Sequence, residues 1–124
     1  MKKITEEIRR SLAAIPKKNV PSVRILRRKW SKQLGGLPGR AIITLARHLV
    51  PLGLWERGLA YEIIAHHRGA QQDIRPRDVA ALGRGIHTWG EVDSFACYIA
   101  GPAWRQQKIP DTIALSRVRD NGIP

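Results

Sequence analysis

The sequence predicts an all-α domain, and three observations predict it. Apolar residues recur at three- and four-residue spacings along nearly the whole chain. No useful length alternates apolar and polar residues, so nothing reads as a half-buried strand. Proline and glycine cut the periodic segments into six or seven helical lengths joined by short turns.

Residues 3–15 form the first expected helix, with Ile4, Ile8, Leu12 and Ile15 on one stripe, and Pro16 closes it because proline cannot continue an interior ladder. The second spans about 20–34. Val23, Leu26, Trp30 and Leu34 make its apolar side, while Arg24, Arg28 and Lys32 recur every four residues on another, with Arg27 and Lys29 nearby. Gly35-Gly36-Leu37-Pro38-Gly39 separates it from a third helix at 39–50, whose Ile42, Ile43, Leu45, Ala46, Leu49 and Val50 surround much of its girth and place it centrally. Pro51-Leu52-Gly53 breaks the chain before a fourth helix at 55–68, with Leu59, Ile63 and His66 on one stripe and Trp55 at its start. A short fifth helix at 76–85 begins with Pro76 and carries Asp78 in its first turn, where the helix dipole favours negative charge. The sixth starts at Thr88 and runs along Val92, Phe95, Ala96 and Ile99 to Gly101-Pro102. Helices this short pack equally well as a bundle or as stacked hairpins, and no fixed-period repeat decides between them. Residues 1–116 read as one domain and 117–124 as a fraying polar tail.

The formal net charge is +12, more than solubility requires. It is unevenly spread: residues 1–34 hold eleven basic side chains against Glu6 and Glu7, and the other ninety hold eleven against eight acids. A polyanion such as DNA, RNA or an anionic membrane surface is the leading type of partner, with a simply solvated basic face as the other reading. No apolar run approaches the ~18 residues of a membrane span, and Met1 to Arg9 lack the apolar core of a secretory signal, which points to a cytoplasmic protein. Cys97 is the single cysteine, which excludes an internal disulfide and cysteine-rich zinc patterns.

Thr88-Trp89-Gly90-Glu91 matches a capping box that fixes a helix start, with the Glu91 carboxylate expected to return to the Thr88 amide. Trp89 then falls in the first turn and Asp93 one turn later, so an aromatic plane and a carboxylate lie on neighbouring sectors of one face. A carboxylate stabilises the cationic sugar formed when a base leaves deoxyribose, and an indole face attracts positive charge. The competing structural reading packs Trp89 in a groove and pairs Asp93 with an arginine. His66 and His67 are adjacent and do not make a helical metal pair, Cys97 reads as a small buried hydrophobe, and Glu62 reads as a buried partner for an arginine.

The run WGEVDSFACYIAGPAW, Trp89 to Trp104, resembles a segment of the AlkD-type DNA alkylation repair proteins. Val20 to Pro38 and Leu59 to Arg68 are similar to what precedes it there, in the same order. The resemblance implies a HEAT-like, armadillo-type superhelix of helical pairs, a basic face that holds double-stranded DNA, and hydrolysis of the N-glycosidic bond of cationic purines such as N3-methyladenine and N7-methylguanine, with no metal or nucleotide cofactor. By position it assigns Asp93 to the sugar cation and water and Trp89 to the deoxyribose, and it gives the basic face of Arg24, Arg27, Arg28, Lys29 and Lys32 to DNA. Family members run to about twice this length, and their later active-site Trp and arginines have no counterpart here, so a truncated repeat with weak or absent activity is expected. The other readings are a non-catalytic nucleic-acid-binding module and self-association through an exposed end of the stack.

Overall fold

The computed structural model describes residues 2–106; the expected tail at 117–124 and the stretch before it lie outside them. Within these residues every regular element is a helix. They are α1 (Lys2–Ala13), α2 (Val20–Leu34), α3 (Gly39–Leu49), α4 (Leu54–Ala65), α5 (Arg68–Asp73), α6 (Pro76–Leu82), α7 (Trp89–Phe95) and α8 (Gly101–Arg105). A 3-10 turn, Val50–Leu52, joins α3 to α4, and a π-helical segment, Ala96–Ala100, joins α7 to α8 without a break in helical backbone angles.

Local chemistry sets most of the ends. Asn19 caps α2: its side chain accepts from the Ser22 amide at 2.9 Å while the Ser22 hydroxyl accepts from the Asn19 amide at 3.2 Å. The Asp78 carboxylate accepts the Arg75 amide at 2.9 Å and so closes the start of α6. His67 caps α5 with Nδ1 accepting from the Ala70 amide at 3.0 Å. Sequence periodicity does not predict α5, because Arg68-Gly69-Ala70-Gln71-Gln72-Asp73 buries only Ala70 and carries no apolar stripe.

The end expected at Gly101-Pro102 is corrected. Helical backbone continues through it to Arg105. Pro102 has no amide hydrogen to give the Tyr98 carbonyl, and the chain absorbs the loss by widening just upstream, where the Gly101 amide reaches back five residues to the Ala96 carbonyl.

The helices pack in two rows. α1, α3 and α6 touch in succession in one, α2, α4 and α7 in the other, and α3 and α4 make the most extensive contact between rows. α3 is central as its apolar girth predicts, with Ile42, Ile43, Leu45, Ala46 and Leu49 all buried. It approaches α5 closely through backbone: a Cβ on Gly39 would overlap the Gly69 carbonyl, so only glycine fits. Tyr61 of α4 and Phe95 of α7 meet with ring centroids 5.8 Å apart and fix the second row at the level of the site. No helix among the described residues is long and apolar enough to cross a membrane.

Candidate functional site

The second row opens a cleft of about 590 Å³ between α2, α4 and the start of α7, a size that ordinary small-ligand pockets share. Val20, Val23 and Arg24 reach it from α2, spaced three and four residues apart, and Asp93, Ser94 and Cys97 reach it from the α7 run at the same spacing. Trp55 and Tyr98 supply aromatic surface, with the fully buried Tyr61 beneath it.

Its charges are nearly all committed. Arg24 Nε stands 3.6 Å from Glu62 Oε1 across the α2–α4 interface, which makes Glu62 the mostly buried arginine partner that the sequence predicts. Arg57 and Glu91 are buried against each other, with Nε to Oε2 at 3.2 Å. The other Arg57 nitrogens donate to the Tyr61 hydroxyl at 2.9 Å, the Leu82 carbonyl at 3.2 Å and the Arg84 carbonyl at 2.5 Å. Tyr61 in turn donates to the Leu82 carbonyl. Burial pushes the Tyr61 phenol up to about 12, against the opposing pull of Arg57, so it remains a donor at neutral pH. Gly85 closes the loop around this arginine with φ at 79°, and a Cβ there would lie 3.1 Å from Arg57 Nη2.

Glu91 also forms the helix cap. The Thr88 hydroxyl accepts its amide at 3.2 Å, as the capping box predicts, but its carboxylate does not return to the Thr88 amide. Oε1 instead accepts from the Thr88 hydroxyl at 2.9 Å and the His87 amide at 3.3 Å, since Oε2 is held by Arg57.

Asp93 is the remaining charge. It is exposed, lines the cleft, and its carboxylate has no hydrogen-bond or ion-pair partner among the described residues. No arginine among the described residues pairs with it, and Trp89, which the competing reading packs in a groove, is 57% exposed. Trp89 stands one turn before Asp93 at the helix start and is not part of the cleft lining, although its neighbours Thr88 and Gly90 are.

The five cations expected to bind DNA all lie on α2 and differ in setting. Arg24 belongs to the cleft, and Arg27 is half-buried with its Nε enclosed and without a hydrogen bond among the described residues. Arg28, Lys29 and Lys32 are exposed. His66, expected on the buried stripe of α4, is exposed at its C-cap; burial of part of the ring and the charge of Arg27 still hold its pKa below the ordinary histidine value. Cys97, expected to be buried, is exposed at the cleft because α7 and the π-helical segment after it turn Val92, Phe95 and Ile99 inward instead. Sequence reasoning missed Arg57 altogether: the signal was a Tyr four residues on, which shares its helix face. No group of three or more His, Cys, Asp or Glu is placed to hold a metal among the described residues.

Comparison with known proteins finds no matching family, no matching curated protein and no matching solved structure.

Proposed function

We propose that the protein binds DNA through α2 and acts on cationic alkylated purines, as a DNA glycosylase that hydrolyses the N-glycosidic bond. The observation that carries this reading is the unpaired Asp93. In a chain with 22 Lys and Arg, it is left without a cation partner among the described residues, in a cleft walled by aromatic rings. A site that presents free negative charge and π-faces on a strongly cationic protein suits a cationic group carried by a polyanion.

The chemistry follows from that charge. A purine alkylated at N3 or N7 is positive and departs as a neutral base when the bond from C1′ to nitrogen breaks. Positive charge passes to the sugar, where a carboxylate stabilises it. Water then forms the new C1′–O bond and gives its proton to the carboxylate or solvent. Two rows of helical pairs support the HEAT-like arrangement that the sequence resemblance implies.

The test is release of N7-methylguanine from alkylated duplex under single-turnover conditions. Slow release by the native chain, lost in Asp93→Asn with duplex binding retained, is the expected result. The position of Trp89 outside the cleft favours a second reading, a non-catalytic nucleic-acid-binding module. For that module no base is released, and binding weakens with salt equally in the native chain and in the Asp93→Asn variant.

A further inference from the structure

Behind the Arg57–Glu91 pair lies a second cleft, of about 630 Å³, where the ends of α3 and α6 meet the starts of α4 and α7. No α2 residue contributes to it. Its polar lining reverses the sign of the first: Arg47, Arg84 and His87 face it, and the one acid there, Glu91, is already held by Arg57. Arg84 is exposed and has no acidic partner among the described residues. Arg47 has only a 3.6 Å share of Asp78, whose closer bonds, at 2.6 and 3.1 Å, go to Arg40. The carbonyls of Leu82 and Arg84, which would repel an anion at the end of α6, are taken by Arg57. Val50, Pro51 and Leu54 add apolar surface to its lining. α4 begins there after Gly53, and its positive end already holds the Glu56 carboxylate, which lies against Gly53, so the arginines carry the site.

We infer that this second cleft binds a phosphate ester, with Arg84 and Arg47 on the phosphoryl oxygens and the apolar surface against the organic part. A guanidinium matches phosphate oxygens in pairs, and the apolar surface distinguishes an ester from the inorganic ion. The phosphate can come from a free nucleotide or from a nucleic-acid strand.

The experiment titrates the full chain with adenosine 5′-monophosphate, a tetrathymidylate and inorganic phosphate, following backbone and arginine Nε resonances. Shifts should centre on Arg84 and Arg47. Arg84→Gln should weaken binding of an ester about tenfold, the loss of one charge-assisted hydrogen bond. Arg77→Gln, the same charge change at an exposed site on α6, should leave it within about twofold. Dependence on Arg84 for the mononucleotide identifies a free nucleotide as the ligand, and dependence for the tetranucleotide alone identifies a strand. Equal effects of the two substitutions, or inorganic phosphate binding as tightly as either ester, overturn the inference.

Discussion

The Nε of Arg57 lies 3.2 Å from Oε2 of Glu91, and these two side chains, 8% and 7% exposed, form the partition between the two clefts. One ion pair thus shapes a space lined by the Asp93 carboxylate on one side and a space lined by the Arg47 and Arg84 guanidinium groups on the other. Its chemistry also ties α4 to the loop after α6 and to the start of α7.

Breaking this pair from one side should be costly. Glu91→Gln leaves the Arg57 charge buried without its counterion, and the expected loss of stability is about 3 kcal/mol. Urea unfolding measures it as a lower midpoint at unchanged slope. In the double variant Arg57→Met, Glu91→Gln the stranded charge is gone, so the loss should be smaller than the sum of the two single losses. Simple additivity would show that the two residues act independently.

Acid should unfold the protein partly through Asp78. Burial alone would raise the pKa of this carboxyl, but hydrogen bonds from Arg40 and the Arg75 amide, with the charges of Arg40 and Arg47, more than offset that and hold it below its ordinary 3.8. A carboxyl whose folded pKa is depressed contributes stability that is complete above its unfolded value and is lost as pH falls through the folded one. Thermal midpoints of the native chain should therefore fall below pH 3.8 more steeply than those of Asp78→Asn, which starts lower at neutral pH because Arg40 loses its counterion. Parallel curves for the two chains would contradict this assignment.

The parts of the fold legible in the sequence are those that local chemistry dictates. α2 keeps its expected bounds because its buried stripe, Val23, Trp30 and Leu34, begins after a capping Asn and ends before two glycines. The fourth helix ends at Ala65, three residues earlier than expected, and His66 turns outward with it. Arg57 was missed for a different reason: an arginine in a helix reads as surface even with Tyr61 one turn on, and the carbonyls of Leu82 and Arg84, more than twenty residues on, make its burial possible. The spacing of Trp89 and Asp93 correctly put them one turn apart on the α7 helix. That Asp93 shares a cleft with Arg24 and Glu62 depends on α2 and α7 flanking α4, which no spacing along the chain encodes.

The cations of α2 should contribute unequally to DNA binding, and salt dependence separates them. At about 100° per residue, Arg28 lies about 40° from the cleft-lining Arg24 and Lys32 about 80°, while Lys29 lies about 140° away. Both lysines and Arg28 are exposed, so exposure does not rank them and direction does. A duplex seated along the cleft side of α2 meets Arg28 and misses Lys29. Each phosphate contact releases counterions and contributes about −0.9 to the slope of log K against log salt. Arg28→Gln should accordingly make that slope shallower by about one, and Lys29→Gln should leave it nearly unchanged. Fluorescence anisotropy of a short labelled duplex over a range of salt concentrations measures both. Equal effects at the two positions would mean that DNA is attracted by the net charge of the segment and has no fixed seat along the cleft.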